Sequence, residues 1–325
     1  MIVGALAVAL VLVGCSDDDP DAGSTTSAGA TDDRATVQRQ LADDVISTTY
    51  LDAARATEVA RDEAAAACAV PTAESVEQAR SAVVQALGVW ESLDPIDFGP
   101  VMTLRADRFV SYPAATDKID ERLGDPPPDE GAATTRLASD ARGLGAAAYL
   151  LDAPPAAFAD PARCTYLTSI MAAAATRVEE VRAAWFDDPT PYLEYTAGRG
   201  DESMVSKELI DTVVNMSVDV LGADLKALGS EPADPEVTRA TIAAHAATIE
   251  ALWGAGESGL STLVDDVLAE RLRGELDQLV KATAESPLDT EAVTAATEAV
   301  RATLGADVVG ALDVTVGFSE NDGDS

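Results

Sequence analysis

Apolar residues in this chain recur every three or four positions, and sustained alternation of the kind a sheet needs is missing. Val37, Leu41, Val45 and Thr48 form one stripe. It predicts a helix that opens near Arg34 and runs through an alanine-rich segment to Val70-Pro71. Pro71 ends it, because proline lacks a backbone donor and its ring clashes with the preceding turn. Thr72 then caps a second helix, with Ser75 as a less usual third residue, and that helix carries Val76, Val83, Leu87 and Trp90. Leu93 to Pro100 is punctuated as a turn, and Gly124 to Gly131 as a loop. Arg136 opens the next helix, whose centre, Gly143 to Leu151, is small and apolar and predicts an inner helix that a neighbouring backbone can approach closely. After Pro154-Pro155, a helix passes through Met171, Val178, Val181 and Trp185 and stops at Asp187-Asp188-Pro189.

Residues 191–203 hold Gly198 and Gly200 with few bulky apolar side chains, and read as a linker. A second helical set follows over about Met204–Leu228, Glu236–Leu252, Ser258–Glu285 and Thr290–Leu304, the last extending as far as Leu312. Two sets of about four helices predict an all-α chain of two up-and-down four-helix bundles, residues 34–190 and 204–325.

Composition supports helices. The 325 residues are 47% hydrophobic but only 4% aromatic, because alanine, the best helix former, supplies much of the apolar count. The formal net charge is −35, from 57 acidic and 22 basic residues. That excludes nucleic acid as a partner, since a phosphate backbone demands clustered Lys and Arg, and it argues against adsorption to an anionic membrane face. A solvated acidic surface accounts for the charge; attraction of cations or a basic partner is the sharper alternative.

The N-terminus has its own logic. Residues 1–15 are a short apolar run ending in Leu12-Val13-Gly14-Cys15, the pattern of a lipoprotein signal peptide whose cysteine is lipidated, although no basic residue precedes it. The alternative is a buried apolar terminus. Residues 16–33, rich in Asp, Ser, Thr, Gly and Ala, are expected to be a disordered tether. With Cys15 lipidated, Cys68 and Cys164 remain, and an oxidising compartment favours a bridge between them over two free thiols.

Candidate chemistry is sparse. His245, the only histidine, lies mid-helix among alanines with no second histidine at metal-site spacing, and reads as a packed or surface residue. Arg105 and Arg108, with Tyr112, are placed to bind a carboxylate or phosphate, or to make internal ion pairs. Asp322 and Asp324 offer oxygen ligands to a hard cation, but their spacing is not that of an EF-hand and a structural role is the simpler reading.

Several of these segments, in this order, resemble the imelysin-like (M75 peptidase) family. The matching pieces are Phe98-Gly99-Pro100, the Arg105–Pro113 stretch, Tyr149-Leu150-Leu151, Cys164 before Tyr166-Leu167, and the tail Gly317-Phe318 to Asp322-Gly323-Asp324. The resemblance spans about Val37 to Asp324. It implies two bundles related by an old duplication, an inter-bundle cleft edged by residues such as Arg105, Arg108, Tyr112, Tyr149 and Phe318, and a link to metallopeptidase activity or iron uptake. The family's Gly-x-His-x-x-Glu signature is broken: its His position holds Gly145 and its Glu position Ala148. The expectation is therefore an envelope-anchored, extracytoplasmic, non-catalytic binding protein. It would be tied to membrane lipid through Cys15 and to components of a metal-uptake system, with a metal ion as the only cofactor in view. The alternatives are a metallopeptidase with non-standard ligands and a structural or partner-binding surface protein.

Overall fold

The computed structural model describes residues 26–111, 113–229, 235–254, 259–285 and 289–316, and every regular element among them is helical. A continuous rod comes first: α1 (Thr26–Gln40), a π-helical turn (Leu41–Ile46) and α2 (Ser47–Ala69). It begins at Thr26 instead of Arg34, so residues 26–33, grouped with the tether by composition, are helical. The π turn explains where the first stripe fails. Val37, Leu41 and Val45 are buried as expected, but Thr48 is exposed and Tyr50 takes the inward position. A wide turn holds more residues than an α turn, so the buried face slips along the sequence before resuming at Ala53, Thr57, Ala60, Ala64 and Ala67.

α3 (Ala73–Glu91) folds back along α2. Its start is a capping box: Thr72 Oγ1 accepts from the Ser75 N–H at 3.1 Å, and Ser75 Oγ accepts from the Thr72 N–H at 3.0 Å. Buried alanines on both helices (Ala60, Ala64 and Ala67 against Ala79, Ala82 and Ala86) leave little side-chain bulk between the rods. A 3-10 turn (Asp94–Ile96) leads to α4 (Pro100–Leu104), α5 (Asp107–Val110), α6 (Thr116–Leu123) and α7 (Glu130–Arg136). Arg136 thus closes a short helix and does not open the inner one. Leu137 and Ala138 are extended, and the inner helix α8 (Gly143–Leu151) starts only after a further 3-10 turn. α9 (Pro161–Phe186) carries proline at its first position and a cap from Asp160 to the Ala162 N–H at 2.9 Å. α2, α3, α8 and α9 make the first bundle.

The segment read as a linker is packed onto the rod. It contains α10 (Tyr192–Thr196), with Thr196 and Ala197 buried. Gln38 Nε2 donates to the carbonyls of Thr196 (2.8 Å) and Met204 (2.7 Å), and Arg199 bridges Asp43 and Glu194. The second bundle is α11 (Ser206–Gly229), α12 (Pro235–Gly254), α13 (Asp266–Ala284) and α14 (Thr290–Ala302), the last continuing through a π turn (Thr303–Val308) into α15 (Val309–Leu312). α13 begins well after Ser258, because Asp265 supplies its cap and Leu260–Leu263 form a separate 3-10 turn. α1 lies against α11, so the opening rod spans both bundles, and Arg34 donates to the Leu312 carbonyl at 2.7 Å. Among the described residues no helix is long and apolar enough to cross a membrane.

Cys68, at the end of α2, is disulfide-bonded to Cys164, in the first turn of α9, with Cα atoms 5.4 Å apart. The bridge closes a loop across a sequence separation of 96 residues, which restricts the unfolded chain by roughly 5 kcal/mol in the chain-entropy view. Replacing both cysteines with serine is expected to lower the thermal unfolding midpoint markedly; an unchanged midpoint in calorimetry would contradict this role.

Candidate functional site

The site begins with an aromatic clamp that fixes the turn after α3. The Tyr50 hydroxyl, inward because of the π turn, donates to the Ile96 carbonyl at 2.9 Å. Its ring lies 4.6 Å from that of Trp185, which meets Phe98 edge-on at 5.8 Å and Tyr192 edge-on at 5.0 Å. Gly99 has a φ of +65°, and a Cβ there would lie 2.3 Å from the Tyr192 ring, so only glycine lets the turn close against it. Glu91, Asp94 and Asp97 are held on this clamped stretch.

The second bundle supplies the imidazole. His245 lies on the buried stripe of α12 with Ile242, Ala246 and Ile249, and its side chain is 4% exposed. Nδ1 is 3.0 Å from Oδ1 of Asp224, a buried carboxylate on α11; Nε2 is 3.2 Å from Oδ2 of Asp94, in the first bundle. Thr248, one turn along α12, donates to the Ser92 carbonyl at 2.8 Å. Ligand atoms of Glu91, Asp94 and His245 all lie within 4.8 Å of one another.

The electrostatics follow from burial and crowding. Burial alone would lower the His245 pKa, but hydrogen bonds to Asp224 and Asp94, reinforced by their charges, outweigh it and push the group up to about 10. Burial and the charge of Asp94 raise Glu91 to about 7, against the opposing pull of His245 and the Ser111 hydroxyl. Asp97 is also raised to about 7, by burial and then by Asp94 and Asp107. Its Oδ1 is buried without a hydrogen-bond partner among the described residues. The cluster thus concentrates carboxylates that lack enough positive charge, and protons or a cation must supply the rest.

The donor set fits a divalent metal. Asp224 can hold a proton on Nδ1, which fixes the ring and leaves Nε2 to face Glu91 and Asp94: the arrangement by which a carboxylate orients a metal-ligating histidine. One imidazole and two carboxylates suit borderline divalent ions such as Fe(II), Mn(II) or Zn(II).

The residues singled out in the sequence are dispersed. Gly145 and Ala148 are half-buried on α8 and offer no donor. α8 is nevertheless a neighbour of the site. Gly143, at φ +81°, packs so closely that a Cβ would lie 2.6 Å from the Val110 carbonyl, and Ser111 beside it faces Glu91. Tyr149 hydrogen-bonds Asp120 at 3.0 Å, away from the imidazole. Arg105 and Arg108 are exposed, and neither guanidinium forms an ion pair among the described residues. Phe109 is instead clasped by Arg142 and Arg177, whose guanidinium carbons lie 3.7 and 4.2 Å from the ring centre. Cys15, Tyr112, Phe318, Asp322 and Asp324 lie outside the described residues. Glu91, Asp94, Asp97 and Asp224 were not foreseen, and His245 is packed, as expected, but also ion-paired.

The family described as Peptidase M75, imelysin, matches residues 46–314. No curated protein matches the sequence. An imelysin-like protein from Psychrobacter arcticum 273-4 has a similar structure, with a TM-score of 0.67 and 17% identity over 89% of this chain and 98% of that one. A candidate iron-regulated protein A precursor from Parabacteroides distasonis ATCC 8503 gives a TM-score of 0.70 and 16% identity over 88% of this chain and 96% of that one.

The raised groups set a pH dependence for the metal-free protein. Each binds protons more tightly folded than unfolded. His245 therefore contributes stability that is fully present below about 6.5 and is lost as pH rises through about 10. Glu91 and Asp97 act in the same direction, growing unfavourable as pH rises from the ordinary carboxylate range to about 7. The thermal midpoint is expected to fall steadily between pH 5 and about 10, and Asp224→Asn to flatten the alkaline part of the profile. A midpoint that rises across this window would contradict the assignment.

Proposed function

The chain belongs to the imelysin family, and on that premise we propose that it is a metal-binding protein whose cation site is Glu91, Asp94 and His245, where the two bundles meet. One observation carries the reading: three donors from two bundles converge within 4.8 Å, with a buried carboxylate orienting the imidazole. Iron is favoured among the borderline ions, because a structural neighbour is named for iron regulation and a mixed imidazole–carboxylate set suits Fe(II). Binding without cleavage is favoured because Gly145 and Ala148 stand where the signature His and Glu would be. In this reading Cys15 carries the lipid, the folded part works outside the cytoplasm at the cell envelope, and the metal passes to other components of an uptake system.

Each residue has a definite task. Glu91 and Asp94 neutralise the cation, His245 adds a softer ligand that favours a transition metal over Mg²⁺ or Ca²⁺, and Asp224 keeps the ring turned towards them. A metallopeptidase is the second reading. Its support is Asp97, whose carboxyl, raised to about 7, suits a general base.

Anaerobic calorimetric titration of metal-free protein with Fe(II), repeated with Zn(II), tests the proposal. One equivalent is expected to bind with proton release, because the metal displaces protons from His245 and the carboxyls. Asp94→Asn and His245→Ala are expected to abolish tight binding, and Asp224→Asn to weaken it about 10- to 100-fold. Binding that is unaffected by these changes, or no binding at all, would overturn the site. Peptide cleavage that stops on chelation would select the second reading; none is expected.

A further inference from the structure

The sequence after Ser92 leaves its carbonyl without a local donor. Ser92 closes α3, where the last carbonyls of a helix lack partners within it. Three residues on stands Pro95, which has no N–H, and the Ile96 N–H goes to the Leu93 carbonyl at 2.7 Å. The Ser92 hydroxyl turns back to the Val89 carbonyl at 2.6 Å. The donor comes from the other bundle: Thr248 Oγ1 donates to the Ser92 carbonyl at 2.8 Å.

Both ends of this bond belong to the cation site. Ser92 lies between Glu91 and Asp94 in the chain, and Thr248 is three residues from His245, on the same face of α12. Thr248 is 6% exposed, with its hydroxyl committed to this bond. Within the second bundle the imidazole is already fixed by Asp224, 3.0 Å from Nδ1. Its distance from the two carboxylates is a separate matter, because they stand on the first bundle. The Thr248–Ser92 bond ties the two supports together beside the ligands.

We propose that Thr248 is a positioning residue for the cation site and sets its metal selectivity. This rests on the site proposed above. With the bond in place, Glu91, Asp94 and His245 share one metal, and such a mixed set suits Zn(II) or Fe(II). Without it, Glu91 and Asp94 stay together on their own segment while the imidazole withdraws. Two carboxylates alone are a set that Mg(II) accepts, with water filling its shell.

Calorimetric titration of the full chain with Zn(II) and, separately, with Mg(II) tests this. Thr248→Val removes the hydroxyl at little change in shape. It is expected to weaken Zn(II) binding about 10- to 100-fold, the scale of losing a group that orients a metal ligand, and to leave Mg(II) binding unchanged. Thr248→Ser keeps the donor and is expected to retain the parent selectivity. Pro95→Ala reaches the same bond from the first bundle: it gives the Ser92 carbonyl a competing N–H, and is expected to lower the preference for Zn(II) in the same direction. It carries the test if Thr248→Val fails to fold, which circular dichroism checks. A merely structural threonine would lower the thermal midpoint and leave the preference for Zn(II) over Mg(II) as it was. That result, or equal losses for both ions, would overturn the proposal while leaving the cation site standing. A parent chain that binds no Zn(II) would overturn the site itself, and this inference with it.

Discussion

The structure turns on one buried imidazole caught between carboxylates from different bundles. His245 is almost wholly shielded from water, and Asp224 beside it is buried as well. Burying either charge alone would be strongly unfavourable; together, hydrogen-bonded, they are tolerated. Asp94 reaches the same ring from the first bundle, so the relative position of the two bundles is tied to an electrostatic balance. Glu91 and Asp97 then tip that balance towards excess negative charge, which a proton or a metal ion can relieve.

Most of the surrounding architecture serves to hold this balance in place. The π turn brings Tyr50 inward, Tyr50 and Trp185 fix the turn that bears Asp94, and Gly99 lets that turn close on Tyr192. Gln38 ties the connecting segment to the opening rod, and Thr248 links α12 directly to the chain at Ser92. The disulfide stands apart from this machinery: it joins α2 to α9 within the first bundle.

The helical class and the pairing of Cys68 with Cys164 were legible in the sequence, because periodicity and the small number of cysteines constrain both. The site was not, because its donors are far apart along the chain, and a search for a compact His-x-x-Glu motif passes over them. A weaker signal was present. Asp224 interrupts the apolar stripe of Leu221 and Leu228, and His245 interrupts that of Ile242 and Ile249. A titratable residue on the core face of a helix needs a partner, and these two supply each other's. Asp94 and Asp97 were hidden for a different reason. They sit in a proline- and glycine-marked turn that reads as a solvated loop until Tyr50 and Trp185 are seen to hold it. Thr48 was misplaced because a π turn leaves no mark in a pattern counted at 3.6 residues per turn.

The proposed cation site does not involve Gly145 and Ala148: His245 and its carboxylates stand at the bundle junction, drawn from segments far apart in the chain. Because the chain has a single histidine, nitrogen-15 NMR of histidine-labelled, tag-free protein reports on this ring alone. The account predicts that near neutral pH both ring nitrogens are protonated without metal. One equivalent of Zn(II) then strips the proton from Nε2 and shifts it, while Nδ1–H, held by Asp224, persists. A neutral ring at the outset, or a spectrum unmoved by Zn(II), would contradict the central claim.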